Sequence, residues 1–277
     1  MKTLAEVKRD LEFNKGLASL IEALKNIAVS QYRALEQKLK SYERLLEEID
    51  GFFEFIDISR IKSPFASSHY KKQIVVAVTS DSGFLGGLNM NVVTAARAEL
   101  EKIPGKLIVI GERGKIYARE SKLPFTAFSG IKDEQRYAQA IQVRNYLVKT
   151  ILEGRVGYLK VVYPRPISFT IQRVEIVSCL PYTPKQAQET SGHDIIVESK
   201  LNDVFGYLVY LWISQKLYEI FGLSRLAEFA ARFVHLEGSS QRLGELDKKL
   251  RLQYFRIRHE LVDRNMRELF SARLAFR

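Results

Sequence analysis

The sequence contains only one cysteine, Cys179, and four scattered histidines. A lone cysteine cannot form an internal disulfide, which fits a reducing compartment. Because Cys179 lies in a β-rich run, we expect a small core residue rather than a reactive thiol. A metal centre is not expected either, since the histidines do not stand at ligand spacing from one another or from the cysteine; they are His69, His193, His235 and His259.

Long apolar runs are also missing. A membrane-spanning helix needs about 20 apolar residues, and the longest candidate, Val204–Ile213, is too short and is followed by charged residues. The N-terminus carries acids, so it resembles neither a signal peptide nor an acid-poor transit peptide. We therefore expect no direct membrane insertion and take the cytoplasm as the default compartment.

Motifs of enzyme sites are absent or incomplete. The glycine-rich segment Ser80–Asn89 follows a predicted strand, where phosphate-binding loops lie. It lacks the Lys-Ser/Thr pair of a P-loop, and Gly83, Gly86 and Gly87 do not complete a dinucleotide fingerprint. No Gly-x-Ser-x-Gly elbow supports a serine nucleophile. We predict a structural loop, no catalytic site and no cofactor, with a nucleotide site as the alternative.

Proline is absent from both ends of the chain, Thr3–Ile49 and Val204–Arg277. Both segments carry mainly apolar residues at alternating steps of three and four, which is typical of a coiled-coil seam. The first seam comprises Leu4, Val7, Leu11, Asn14, Ala18, Ile21, Lys25, Ala28, Tyr32, Leu35, Leu39, Tyr42, Leu46 and Ile49. The second comprises Phe229, Phe233, Leu236, Ser240, Leu243, Asp247, Leu250, Tyr254, Ile257 and Leu261.

The two seams predict two long helices that pair antiparallel, because neither helix would be stable alone in water. The first is predicted as one helix of about 45 residues over Thr3–Ile49. Within the second segment, Gly222–Ser224 is predicted as a break, with Ser224 as the N-cap of the helix that follows.

The middle of the chain has a different pattern. Continuous apolar runs of strand length alternate with helical stretches, which favours a small α/β domain around a mainly parallel sheet. The predicted strands are Ile74–Val78, Lys106–Ile110, Tyr158–Tyr163 and Thr170–Leu180, with a turn at Pro164–Pro166. The segment Pro181–Asp194 is predicted as a loop.

The formal net charge is +11, and its distribution matters for partners. Residues 1–50 balance, whereas residues 200–277 hold 14 Lys/Arg against nine Asp/Glu. The excess lies late, where a run of arginines is either a solvated helix face or a surface for an acidic partner. At this stage that partner could be protein or nucleic acid.

Four fragments, in order, resemble the gamma subunit of rotary ATP synthases. Ser80-Asp81-Ser82-Gly83-Phe84-Leu85-Gly86-Gly87-Leu88-Asn89 is close to that family's S-D-R-G-L-C-G-G-L-N, and residues 20–28 lie over I-T-K-A-M-K-M-V-A. Residues 224–236 resemble S-x-x-S-E-x-A-A-R-M-x-A-M, and residues 250–268 resemble L-x-L-x-Y-N-x-x-R-Q-x-x-I-T-x-E-L-x-E.

The resemblance implies a rotor shaft whose coiled coil stands inside a ring of alternating catalytic and non-catalytic subunits. It further implies that the α/β domain attaches to an epsilon-type subunit and the membrane rotor ring, on the cytoplasmic face of a bacterial membrane. No nucleic acid is then expected. The residues expected to contact the ring are Lys25, Arg33, Arg256, Arg258, His259 and Arg264, and the loop residues Ser80, Asp81, Gly83, Gly86, Gly87 and Asn89 are expected to be structural.

Several positions depart from the family's pattern. Arg258 keeps the arginine of an arginine–glutamine pair, but His259 replaces the glutamine and could titrate near physiological pH. The chain is thus identified as a divergent member. The shaft of a specialised hydrolysis-driven pump or motility motor is the alternative, and a basic nucleic-acid-binding coiled-coil protein is a remote one. We predict the fold as an α/β domain of Rossmann type with a long antiparallel coiled coil, divided at residues 1–58, 70–195 and 200–277.

Overall fold

The structure, a computed structural model, describes residues 2–39, 43–53, 70–154, 156–183 and 199–275, together with 56, 58, 61 and 63–66. The helices are α1 (Leu4–Leu39), α2 (Glu43–Phe53), α3 (Leu88–Lys102), α4 (Glu112–Glu120), α5 (Arg136–Gly154) and α6 (Leu201–Ala275). The strands are β1 (Gln73–Val78), β2 (Gly105–Ile110), β3 (Phe125–Phe128), β4 (Tyr158–Pro166) and β5 (Gln172–Leu180).

The chain divides into two compact units. The helix-pair unit consists of Met1–Ala28 and Phe233–Arg277, and the sheet unit consists of Val29–Arg232. The long helices α1 and α6 therefore contribute residues to both units.

In the helix-pair unit, the predicted seams are the inward faces of α1 and α6. Seam residues such as Val7, Ala28 and Leu236 are almost fully buried, and every other seam position in this unit is buried or half-buried. The helices run antiparallel, because Asn14 Nδ2 donates to the backbone oxygen of Leu243 at 3.2 Å while Lys25, later in α1, pairs with the earlier Glu237. The prediction of an antiparallel coiled coil is confirmed.

The sheet unit is built around a five-stranded sheet in the order β3-β2-β1-β4-β5. The first four strands pair in parallel, and β5 pairs antiparallel with β4. This strand order is the one found in Rossmann-type folds, in which a helix crosses over after each strand. The predicted α/β domain with a mainly parallel sheet is confirmed.

Alternation along the central strands supplies a core on each face of this sheet. Ile74, Val76 and Val78 of β1 point into the larger core, which also takes residues from α2, α5 and α6. Val75 and Ala77 point to the opposite face and pack under α3 and α4. The central strands thus read as continuous apolar runs because both faces are covered.

The predicted break in the last helix is wrong. Helix α6 continues through Gly222, where an added Cβ would lie 2.3 Å from Leu39 Cδ2 and 3.0 Å from Arg136 Nη1. Glycine is therefore needed there for close packing of three helices rather than for termination. Ser224 is fully buried within α6, and its hydroxyl has no hydrogen-bond partner among the described residues, so it does not cap a helix.

The described residues cover the predicted helix Thr3–Ile49 in two parts, α1 and α2. Helix α1 ends at Leu39, and the predicted seam residues Leu46 and Ile49 lie in α2 and pack in the larger core of the sheet unit. Residues 40–42, including the predicted seam residue Tyr42, lie outside the described residues, as do 184–194 of the predicted loop.

The predicted turn at Pro164–Pro166 is instead the end of β4. Pro164 pairs with Val174 of β5, whereas the pairing of β4 with β1 stops at Val162. Strand β4 has only one neighbour at this point, and a proline without a backbone N–H is tolerated there.

Candidate functional site

Four of the predicted contact residues occupy exposed positions of α6 in the helix-pair unit. Arg256, Arg258, His259 and Arg264 are all exposed. Arg264 makes a long ion pair of 3.6 Å with Glu268, and both side chains remain about two-thirds exposed. Surface pairs of this kind contribute little to stability. These cations therefore stay available to a partner.

Two open grooves flank the start of α1 in the same unit. The larger, of about 830 Å³, is lined by side chains that include Lys2, Arg264 and Arg267. The second, of about 680 Å³, includes Lys2, Lys249 and Arg256. Glu260 is the one acid that borders both grooves. The paired helices thus present grooves in which positive side chains predominate.

The outward side of α6 is also rich in exposed apolar side chains, which charge counting alone does not reveal. Leu252 is 72% exposed, although it stands only two residues from the buried seam residue Leu250. The other large apolar side chains exposed along this part of α6 are Leu246, Phe255, Val262, Met266, Leu269 and Phe270. A surface that combines apolar and cationic side chains is typical of a protein interface.

Lys25 lies inside the helix pair. Its ammonium bonds Glu22 at 2.9 Å and Glu237 of α6 at 2.6 Å, and it lies 5.8 Å from the centre of the Phe233 ring. These hydrogen bonds, the one to Glu237 first, raise the pKa of Lys25. With 12% of its side chain exposed, Lys25 joins α1 to α6 rather than presenting its charge to a partner. Arg33, in the sheet unit, is exposed on α1.

The loop Ser80–Asn89 is held closed by its own side chains. The backbone N–H of Ser80 donates to Asn89 Oδ1 at 3.1 Å, and Asn89 Nδ2 donates to Ser80 Oγ at 2.9 Å. Ser80 Oγ in turn donates to the backbone oxygen of Ser82. Both Ser80 and Asn89 are buried. Their polar groups are therefore used within the loop.

Asp81 connects this loop to the start of α4. Its Oδ1 accepts the backbone N–H of Glu112 at 2.8 Å, so a carboxylate of the chain lies at the helix N-terminus where a phosphate could otherwise bind. Gly130 makes room for it, because a Cβ at that position would lie 2.2 Å from the Asp81 carboxylate. This arrangement favours the structural interpretation of the loop over a nucleotide site.

The glycines of the loop allow its tight turn. Gly86 has φ of +57°, and an added Cβ at Gly83 would meet the Arg113 guanidinium at 3.2 Å. Leu85 and Leu88 pack on Ala231 of α6, whereas Phe84, also at positive φ, leaves 59% of its side chain exposed. The loop thus fastens the carboxyl end of the sheet to α6. Gly87 immediately precedes α3.

No group of metal-ligating side chains was found in the described part of the chain. His235 and His259 are far apart on α6, and His69 and His193 lie outside the described residues.

Cys179 is buried, and this burial raises the pKa of its thiol to about 12. It is therefore protonated and unreactive at neutral pH, as predicted for a core residue.

Two buried arginines between α5 and α6, and a buried glutamate of α6, were missed at the sequence level. Arg144 lies 3.6 Å from the centre of the Tyr210 ring, and Arg136 lies 4.3 Å from that of Tyr218, with hydrogen bonds to the tyrosine hydroxyls. Both arginines stand eight residues apart on α5, as do the tyrosines on α6. Such spacing, two turns of helix, is the only signal that could have found these pairs.

The third buried charge is Glu228 of α6. Burial raises the pKa of its carboxyl to about 7, against the opposing influence of Arg225 and Arg232. Arg225 bonds Glu228 at 2.6 Å and also reaches Asp133 at 3.1 Å. This network fixes α6 to the segment that precedes α5.

Comparison with known proteins gives a consistent result. A family model described as ATP synthase matches residues 3–276. The ATP synthase gamma chain of Clostridium acetobutylicum is 25% identical, with 95% of this chain and 94% of the relative covered. That of Symbiobacterium thermophilum is 27% identical, with 95% and 94% covered.

Solved structures share the fold. A chain of the Euglena gracilis mitochondrial ATP synthase OSCP/F1/c-ring has a TM-score of 0.72 at 17% identity, with 99% of this chain and 94% of that chain covered. A chain of the Tetrahymena thermophila mitochondrial ATP synthase central stalk/c-ring has a TM-score of 0.60 at 18% identity, with 80% and 99% covered. Among the described helices, none is both long and apolar enough to span a bilayer.

Proposed function

The chain belongs to the ATP synthase family, and we propose that it is the central rotor shaft of a rotary ATP synthase or ATPase. It couples ion-driven rotation of a membrane ring to ATP synthesis or hydrolysis in catalytic subunits. The gamma-chain relatives cover nearly the whole chain, and similar folds come from structures titled as F1/c-ring, rotor and central stalk. These findings support assignment of the whole chain to that role.

The observation that carries the proposal is the helix pair with its outward surface. The seams bury one face of each helix, while Arg256, Arg258, His259 and Arg264 remain exposed beside apolar side chains. We propose that these residues and Arg33 contact a ring of catalytic and non-catalytic subunits. Rim charges of this kind steer and orient a partner more than they bind it.

The mechanism follows from asymmetry. A pair of helices with different side chains around its circumference presents a different surface to each catalytic subunit. Each surface stabilises the open or the closed state of its neighbour to a different extent, so turning the pair shifts those populations in sequence. The chain itself needs no catalytic group for this, and we propose that it has none. The closure of the Ser80–Asn89 loop by Ser80, Asp81 and Asn89 supports that proposal.

The remaining partners follow from the same role. We propose that an epsilon-type subunit and the membrane rotor ring bind the sheet unit, and that the chain is peripheral on the cytoplasmic face of a bacterial membrane. In functional terms, residues 1–58 and 200–277 supply the shaft, and residues 70–195 supply the attachment domain. A specialised paralogue that hydrolyses ATP to pump ions or drive motility would use the same parts.

Co-purification tests this proposal. The chain, expressed with matching catalytic and non-catalytic subunits, is expected to give a stable complex with one copy per ring, measured by native mass spectrometry. The isolated chain is expected to show no ATP hydrolysis. Failure to assemble with any ring ATPase, or ATP hydrolysis by the isolated chain that is lost on Gly86→Val, would contradict it.

A further inference from the structure

The amino-terminal edge of the sheet carries a preformed cavity that neither the helix pair nor the loop explains. It has a volume of about 370 Å³ and lies between the start of β1 and β2 and the end of α5. Its walls are formed by Pro104, Gly105, Thr150, Gly154 and Val156, with Lys72 and Lys106 at the rim and Gln73 beside them. Most of the lining groups are apolar.

Backbone hydrogen bonds hold this cavity open. The carbonyl of Lys72 accepts the N–H of Gly157 at 2.9 Å, and the N–H of Gln73 donates to the carbonyl of Pro104 at 3.3 Å. Gly105 allows the strands to approach here, because a Cβ would lie 2.0 Å from the carbonyl oxygen of Gln73. The cavity is therefore set by the sheet itself and needs no ligand to form.

The lysines at this edge fall into two groups. Lys102 and Lys160 both bond the buried carboxylate of Glu99, and Lys149 lies 4.0 Å from Glu153. In the part of the chain that the structure describes, Lys71, Lys72 and Lys106 have no carboxylate within ion-pair distance. Lys72 and Lys106 thus stand uncompensated at the rim of an apolar hollow, and Lys71 adjoins Lys72 in sequence.

One of the three cations is held in place. The ammonium of Lys106 donates to the hydroxyl of Tyr146 and lies 5.0 Å from the centre of its ring. The same hydroxyl is within 3.2 Å of Thr126 Oγ1. A positioned cation loses little side-chain freedom when it binds an anion, which favours recognition.

We propose that this cavity docks an acidic segment of a partner protein, with one apolar side chain in the hollow and carboxylates at Lys72 and Lys106. A small inorganic anion would leave the apolar walls uncovered. A membrane surface is flat, and a hollow set between strands and a helix does not fit it. This proposal goes beyond the shaft function, which it does not require.

A peptide selection tests the proposal without knowledge of the natural partner. Random short peptides on phage are selected on the full chain and counter-selected on the double variant Lys72→Glu, Lys106→Glu. The expected consensus is two or more Asp or Glu residues next to Leu, Ile or Phe. Peptides without an acidic excess, or equal recovery on the two proteins, would overturn the proposal.

Binding of one selected peptide, followed by fluorescence anisotropy, separates the two parts of the site. The charge reversals are expected to weaken binding at least about tenfold, and this difference should shrink at high salt. Gly154→Leu places a side chain in the hollow, where a Cβ has only ordinary contact with Val156 at 3.5 Å. This variant should remove the advantage in affinity that the peptide has over the same peptide with its leucine replaced by serine. Retention of that advantage would contradict the apolar pocket.

Matched controls guard against misfolding and against other surfaces. Lys149→Glu reverses a neighbouring, exposed charge that already has a carboxylate partner, and it should weaken the peptide much less. Circular dichroism should show unchanged melting for each variant. If Arg256→Glu weakens peptide binding instead, the site lies on the helix pair and the proposal is overturned. It is also overturned if reversing Lys72 and Lys106 weakens the binding of anionic vesicles as much as it weakens the binding of the peptide.

Discussion

The helix-pair unit and the sheet unit are stabilised in different ways. In the helix pair, a narrow seam is buried and most of the surrounding surface is exposed, including large apolar side chains such as Leu252 and Phe255. In the sheet unit, both faces of the sheet are covered, and β1 is buried along its whole length. The contrast suggests that the first unit keeps its surface for partners, whereas the second uses its apolar residues internally.

The same contrast applies to buried charge. Glu228, in the sheet unit, is enclosed with Arg225, whereas Glu237, in the helix-pair unit, pairs with Lys25 and stays 40% exposed. Burial raises the pKa of Glu228 to about 7, and the hydrogen bond from Lys25 lowers the pKa of Glu237. Two glutamates of one helix thus respond to pH in opposite directions.

The largest expected effect is at the crossing of three helices in the sheet unit. Gly222→Leu should lower the free energy of unfolding by about 3 kcal/mol or more, because its side chain would collide with Leu39 and Arg136. Urea unfolding, followed by the fluorescence of the single tryptophan, Trp212, measures this.

Gly238→Leu is the matched control, since a Cβ there meets nothing within 4 Å. This variant should be neutral or stabilised by up to about 1 kcal/mol, because glycine is a poor helix former. Equal destabilisation by the two substitutions would contradict the packing role of Gly222.

The next effect concerns the seam of the helix pair. Leu250→Ala should cost about 2–3 kcal/mol, because Leu250 is 7% exposed and its removal leaves a cavity. Leu252→Ala, two residues away at 72% exposure, should change stability by less than about 0.5 kcal/mol. Thermal melting followed by far-ultraviolet circular dichroism compares them. Similar losses would mean that the seam has been assigned to the wrong face.

A smaller effect depends on pH. Because the pKa of Glu228 is raised from 4.5 to about 7, the folded chain holds that proton more tightly than the unfolded chain. The protonated Glu228 therefore contributes fully to stability below the unfolded pKa. This contribution is lost as pH rises through the window from 4.5 to about 7. Glu228→Gln should therefore flatten the decline of unfolding free energy across this window. An unchanged pH profile would show that Arg225 keeps Glu228 ionised throughout.

The smallest effect is expected at Glu237. Because the pKa of Glu237 is lowered, its ion pair with Lys25 stabilises the fold at pH above the unfolded pKa of 4.5. This stabilisation is lost as pH falls through the folded pKa. Glu237→Gln should reduce the loss of unfolding free energy at acid pH and change that free energy little at neutral pH. Glu228→Gln should instead reduce the loss that occurs as pH rises. Chemical unfolding at about pH 7 and about pH 3.5 measures this difference. The same sign for both variants would contradict the contrast between the two units.

The sequence supported the long periodic elements best. The seams were readable because helix pairing imposes one burial pattern over many turns, and the apolar runs of β1 and β2 marked a covered sheet. The packing of Leu46 and Ile49 in the core of the sheet unit was not readable, because these residues continue the spacing of the seam. Periodicity predicts a buried face but not the element that buries it.

Single residues were harder to interpret. Gly222 suggested a helix end, yet it serves the close approach of Leu39 and Arg136. Lys25 was expected to contact the ring, yet Glu22 and Glu237 hold it inside the helix pair. Each case depends on a residue distant in sequence, which local propensity cannot represent. The structural role of Ser80, Asp81 and Asn89 stays a prediction, which their hydrogen bonds within the sheet unit support.

Rotation during ATP hydrolysis tests the shaft assignment most directly. Met90→Cys offers a handle for a bead, because Met90 is 49% exposed on α3 and the native Cys179 is buried and unreactive. With the ring of catalytic and non-catalytic subunits fixed to a surface and ATP supplied, the bead should turn in one direction in regular steps. A complex that hydrolyses ATP at full rate while the bead stays still or only fluctuates would contradict the assignment.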